Sequence, residues 1–74
     1  MPNFQERLIS LKKEKQVLQK EIADNLSISL RAYQDYEKGN AEPKMKYLIE
    51  IADYFDVSLD YLVGRTDNPN SHKS

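Results

Sequence analysis

Between Ser29 and Gly39, a helical backbone would put Arg31, Gln34, Asp35 and Lys38 on one face and Tyr33 and Tyr36 on the other, with Ile28 just before them. The chemistry of the polar face is hydrogen bonding rather than bond making: a guanidinium, an amide and a carboxylate present donors and acceptors side by side. Reaction chemistry has little to work with elsewhere. The only histidine, His72, lies near the C-terminal end, there is no cysteine, and no Gly-rich phosphate loop, nucleophile elbow or carboxylate cluster at metal spacing is present. No catalytic residue, metal or cofactor is expected, and no small-molecule ligand is evident. The polar face follows a tight turn at Leu26-Ser27-Ile28 and a short amphipathic segment from Val17. Two short helices joined in this way make a helix-turn-helix pattern, whose second helix suits a DNA groove. A polar outer face is equally what an ordinary surface helix has.

The surrounding elements must hold that face outward. Asn3-x-x-Glu6 is a capping-box pattern that predicts a first helix from about Phe4 to Glu14, burying Phe4, Leu8 and Leu11. Lys12, Lys13 and Lys15 crowd its C-terminal end, where the helix dipole favours cations. A second helix, about Gln19 to Asn25, follows from the shared face of Leu18, Ile22, Ala23 and Leu26. Leu18 stands at its N-cap position without a side-chain acceptor, and Ser27 occupies a turn where Gly adopts positive φ more easily. Ser29 caps a third helix, about Leu30 to Lys38, ended by Gly39-Asn40. After Pro43 a fourth helix, about Lys44 to Tyr54 or Phe55, carries a stripe of Met45, Leu48, Ile51, Ala52 and Phe55, with Asp56 expected in the left-handed region. Ser58 caps a short fifth helix, Leu59 to Val63, closed by Gly64. The expectation is an all-α fold: one domain over residues 1–66, and a loose tail from Arg65 onward with residues 67–74 flexible.

A chain of 74 residues sits near the size at which one hydrophobic core only just outweighs conformational entropy, which favours short helices with short links. No apolar run approaches the roughly 18 residues that span a bilayer, and Met1-Pro2-Asn3 begins no secretory signal, so a cytoplasmic location without membrane contact is expected. The formal net charge of -1 is awkward for a nucleic-acid binder. Its distribution is less so. Residues 1–20 hold Arg7, Lys12, Lys13, Lys15 and Lys20 against Glu6 and Glu14, while Glu50, Asp53, Asp56 and Asp60 gather late in the chain. The molecule is expected to be basic on one side and acidic on the other.

Gln19 to Ala23, Ser29, Tyr36-Glu37-x-Gly39, Pro43, Ala52-x-x-Phe55-x-Val57-Ser58-Leu59-x-x-Leu62 and Gly64-Arg65-Thr66 together resemble the phage repressor and Cro type of helix-turn-helix domain, the XRE family. The resemblance runs from about Phe4 to Thr66 and implies a compact five-helix bundle of the lambda-repressor-like type with a central helix-turn-helix. It also implies a transcriptional regulator, expected as a repressor that occupies an operator as a homodimer on double-stranded DNA with paired half-sites, and is nucleoid-associated when bound. The third helix then enters the major groove, and the positions matching family base contacts are Leu30, Arg31, Gln34 and Asp35. Arg31 suits guanine O6 and N7, Gln34 adenine, and Leu30 a thymine methyl; Asp35 either accepts from cytosine N4 or orients Arg31. Gln19 matches a phosphate-holding position, and Lys38, Asn40, Lys44 and Lys46 resemble the second backbone clamp. Lys12 and Glu37 match a family ion pair joining the first and third helices. Leu18, Ser27, Asp56 and Lys44 depart from the family pattern at helix ends, where capping residues or Gly are common.

Tyr47, Tyr54 and Tyr61 recur every seven residues. They either cover the edge of the core with their hydroxyls in water or form a dimer contact. A competing function, favoured by the net charge, is a protein-interaction module of antitoxin or antirepressor type that keeps the fold without base-specific reading.

Overall fold

Each helix starts at a residue in extended conformation, and four of the five end through a left-handed residue. The computed structural model describes residues 3–69 and contains α1 (Phe4–Lys15), α2 (Gln19–Leu26), α3 (Leu30–Lys38), α4 (Met45–Phe55) and α5 (Leu59–Leu62). No strand occurs among the described residues, and none of their helices is long and apolar enough to cross a membrane. The five helices therefore appear where the apolar spacing places them, with ends shifted by one residue at α1, α2, α4 and α5.

The caps explain most of the boundaries. Glu6 donates its backbone N–H to Asn3 Oδ1 at 2.9 Å and Asn3 donates its own to the Glu6 carboxylate at 3.2 Å, closing the capping box. Ser29 and Ser58 accept at 3.0 Å from the N–H groups of Ala32 and Tyr61. Leu18 offers no acceptor, but Glu21 reaches back to take the Leu18 N–H at 3.0 Å, so α2 keeps half of a box. Lys44 is the cap of α4 without a side-chain bond, which leaves Pro43 one step outside the helix rather than inside its first turn. At the other ends Gln16 (φ 57), Ser27 (φ 59) and Asp56 (φ 57) take the left-handed conformation that Gly39 adopts freely at φ 80. Asp56 and the Ser27 turn were legible in the sequence. Gln16 was not, because glutamine carries no signal for that conformation.

Leu8, Leu11, Ile22, Tyr33, Ile51 and Leu62 are each at most 1% exposed and form the centre of the core. α1 and α2 both pack on α3, and α2 and α5 both pack on α4. Tyr33 and Tyr36 face inward, as their spacing predicts, so the outer face of α3 is set by two buried rings. Met45 departs from the expected stripe and is 59% exposed. It is the first residue of α4, at the open end of the face that Leu48, Ile51, Ala52 and Phe55 supply.

The segment after α5 is more closely held than its composition suggests. The Arg7 guanidinium, on α1, donates to the Thr66 carbonyl at 3.4 Å and to Asp67 at 3.2 Å, and the Ser58 N–H donates to the Pro69 carbonyl at 2.7 Å. Arg7 and Ser58 are both buried and need acceptors, which the returning backbone provides. Arg7 also lies 3.8 Å over the Tyr61 ring, a cation–π contact that compensates in part for an Nε without a hydrogen-bond partner. Residues 70–74, His72 among them, lie outside the described residues.

Leu18 is 67% exposed, so replacing it forfeits little packing. Leu18→Ser supplies the missing N-cap acceptor and is expected to raise unfolding free energy by about 1 kcal/mol. Urea titration of the two proteins checks this; equal or lower stability would show that the Glu21 contact already suffices.

Candidate nucleic-acid interface

The site is built outward from one carboxylate. Glu37, on the inner edge of α3, accepts from Tyr33 Oη at 2.6 Å, from Gln19 Nε2 at 3.0 Å and from Lys12 Nζ at 3.0 Å, with side-chain exposure of 9% for Glu37 and 19% for Lys12. Three helices meet there: Lys12 comes from α1, Gln19 from the first turn of α2, and Tyr33 lies one turn back on α3 itself. The Lys12–Glu37 pair expected from the sequence thus forms, and it is nearly enclosed. Burial alone would push the Glu37 carboxyl up. The bonds from Tyr33, Lys12 and Gln19, together with the Lys12 charge, outweigh burial and hold it below its ordinary value of 4.5. For Tyr33, burial first, then the bond to and charge of Glu37, push the phenol far above its ordinary 10.0.

The network continues to the surface. Gln34 donates through Nε2 to Gln19 Oε1 at 3.1 Å, so two residues expected to touch different parts of a nucleic acid are joined to each other. Gln34 and Asp35 are half-buried on the flanks of the outer face of α3, while Arg31 and Lys38 are exposed. Leu30, at the first turn, is 40% exposed. Arg31 and Asp35, four residues apart, form no ion pair among the described residues. That leaves the guanidinium presented to solvent.

Lys38 occupies the last turn of α3, and Asn40 follows it with its N–H bonded to the Asp35 carbonyl at 2.9 Å. Lys44 and Lys46 are exposed at the start of α4, with the Lys46 ammonium 5.3 Å from the centre of the Tyr47 ring. The basic N-terminal segment contributes less than its composition implies. Arg7 and Lys12 both turn inward to Asp67 and Glu37, so Lys13, Lys15 and Lys20 are its exposed cations. Lys20 in turn pairs with Asp24 at 3.0 Å.

All three spaced tyrosines are half-buried against the core. Tyr54 meets Phe55 edge to face at 5.2 Å and Tyr61 lies under Arg7, so the regular spacing does not give them equivalent surroundings. The sequence reading missed the role of the Tyr33 hydroxyl, although a tyrosine four residues before an acidic residue on a helix is a signal for it. It also missed Arg7 as a holder of the segment after α5; a contact across about sixty residues of chain leaves no local pattern.

A capped helix, a left-handed turn at Ser27 and a second helix turned polar face outward define a helix-turn-helix domain. The helix-turn-helix family matches residues 8–62, and the chain belongs to this family, of the XRE type. It is 45% identical over 65 residues to the HTH-type transcriptional regulator YqaE of Bacillus subtilis, covering 88% of this chain and 56% of the relative. It is 41% identical over 62 residues to the cryptic phage CTXphi transcriptional repressor RstR of Vibrio cholerae, covering 84% and 55%. The crystal structure of a transcriptional regulator from Listeria innocua superposes with a TM-score of 0.80 at 39% identity, over 84% of this chain and 58% of that one. The chain therefore spans a little over half the length of the relatives it matches.

The lowered Glu37 pKa fixes a pH dependence. A carboxyl depressed in the folded state contributes stability that is complete above its unfolded value, near 4.5, and is lost as pH falls through the folded value. Glu37→Gln is expected to be less stable than the parent at neutral pH, with the difference shrinking as pH drops below 4.5. Urea unfolding across that range reads it; a constant difference would contradict the linkage.

Proposed function

We propose that this chain is a sequence-specific regulator of transcription that binds double-stranded DNA, inserts α3 into the major groove and acts as a repressor by occupying an operator. The observation that carries the reading is the outer face of α3: Arg31 exposed and without an ion pair among the described residues, flanked by Leu30, Gln34 and Asp35, on a helix held by a nearly enclosed carboxylate bonded to two other helices. Arg31 is the principal reader, since its fork matches guanine O6 and N7. Leu30 offers contact to a thymine methyl and Asp35 an acceptor for cytosine N4. Gln19 at the start of α2, and Lys38, Asn40, Lys44 and Lys46 beyond α3, flank this face as phosphate contacts that position without specifying. The name of the CTXphi relative, a transcriptional repressor, supports the direction of regulation.

Two copies bind paired half-sites about 34 Å apart, the spacing of one helical turn, with contact between protomers through the α4 surface that carries Tyr47 and Tyr54. Tyr61, engaged by Arg7, lies at the edge of that contact. The net charge of -1 favours a second reading, an interaction module for a protein partner, and the same experiments separate the two.

Sites selected from random DNA are expected to contain an inverted repeat bound with steep salt dependence. Arg31→Ala is expected to cost about 1–3 kcal/mol on that repeat and to relax preference at one base pair per half-site. Lys44→Ala or Lys46→Ala weakens all sequences alike and lowers the salt slope by about 1. Weak association that ignores sequence and is untouched by Arg31→Ala would favour the protein-interaction module. For the dimer, sedimentation is expected to find two protomers on the full repeat and to lose their cooperativity in Tyr47→Glu; identical isotherms for both proteins would remove α4 from the contact.

A further inference from the structure

α4 carries its charges against its own dipole. Lys44 caps the helix and Lys46 lies in its first turn, where no acid stands, while Asp53 lies in the last turn, where no base stands. A helix N-terminus favours anions and a C-terminus favours cations, so each charge sits at the end that opposes it. Lys46 and Glu50 are four residues apart, but lysine before glutamate is the weaker order on a helix. No ion pair among the described residues includes Lys44, Lys46, Glu50 or Asp53. Between the two ends lie Met45 and Ile49, one turn apart and 59% and 46% exposed. At about 100° per residue, Met45, Lys46, Ile49, Glu50 and Asp53 share the solvent side of α4, away from Tyr47 and Tyr54.

We propose that this face docks a second copy of the chain, α4 antiparallel to α4, in a DNA-free pair that withholds Lys46 from DNA. The face is self-complementary: basic at one end, apolar in the middle, acidic at the other. A two-fold axis between Ile49 and Glu50 sets Lys46 of each protomer level with the partner's Asp53, and both ion pairs fall on the same flank. Ile49 lies nearest the axis and is covered by its own counterpart, with Met45 one turn toward the end. Each basic N-terminus then faces an acidic C-terminus of opposite dipole, which offsets both local mismatches at once. Contact with DNA accounts for the lysines alone. Phosphates repel Glu50 and Asp53, and they offer nothing to an exposed isoleucine. The exclusion rests on the reading of Lys44 and Lys46 as phosphate contacts, whereas the pairing stands without it.

Charge exchange tests the pair. Without DNA and at low ionic strength, sedimentation of the parent is expected to show reversible self-association that weakens as salt rises. Lys46→Asp alone sets like charges together, as does Asp53→Lys alone, and each is expected to lower the association constant about tenfold. An equimolar mixture of the two variants restores complementary pairs and is expected to associate as the parent does. Both positions are exposed, and thermal melts verify each fold. A mixture no stronger than either variant alone overturns the pairing. A parent that stays monomeric does the same and leaves the face to a protein of different sequence. For the exclusion, Ile49→Ser keeps every charge; it is expected to weaken self-association and to raise apparent affinity for duplex DNA at concentrations where the parent is paired. Pairing that persists on DNA overturns the exclusion alone. Pairing in a chain that binds no duplex DNA overturns the phosphate reading and the exclusion with it, but not the pair.

Discussion

The carboxylate of Glu37 is the contact on which the arrangement of the first three helices turns. A carboxylate this enclosed is costly to desolvate, and it persists because an ammonium, a phenol and an amide each donate to it. Replacing the set with apolar side chains of similar volume need not weaken the fold, since a buried ion pair returns little net stability. What apolar packing would not supply is direction. Ridges of leucine tolerate small slides and rotations, whereas Lys12 from α1 and Gln19 from α2, both donating to one carboxylate, fix the rotation of α3 about its axis.

That fixing matters because the rest of the molecule is small and its helix ends are imperfect. Three of the four left-handed ends are made by non-glycine residues, Gln16, Ser27 and Asp56, of which only Asp56 tolerates the conformation well, and α2 and α4 begin at Leu18 and Lys44 without side-chain caps. Each such end costs on the order of 1 kcal/mol relative to Gly or Ser at the same place. The core of Leu8, Leu11, Ile22, Tyr33, Ile51 and Leu62 carries these costs. Local geometry is thus imposed by tertiary packing at several helix ends where local preference opposes it.

The charge balance is resolved by where the charges point. Arg7 and Lys12 face inward and serve structure, one tying the segment after α5 to α1 and the other tying α3 to α1. Arg31, Lys38, Lys44 and Lys46 remain on the exposed surface of α3 and the start of α4. In the proposed complex these few cations, rather than the net charge, set the salt dependence, because counterion release counts the phosphates contacted and not the sum over the protein.

The five helices, their order and, apart from Leu18 and Met45, the inward face of each were legible because they rest on short-range physics: apolar residues at i, i+3 and i+4, a serine or asparagine before a helix, and glycine after one. The Lys12–Glu37 pair and the outward set Arg31, Gln34, Asp35 and Lys38 were legible too, the first through family resemblance and the second through helical spacing. Exposure of Met45, the left-handed Gln16, the Glu21 half-box and the hold of Arg7 on Thr66 and Asp67 were not, since each depends on which surfaces meet or on a contact with no fixed offset along the chain. The two helices between Val17 and Gly39 were therefore determined by the sequence alone, written in local periodicity. The joining of Gln34 to Gln19 and of both to Glu37 was decided by tertiary structure, because an amide takes its direction only when folding brings an acceptor-only carboxylate from another helix to its end.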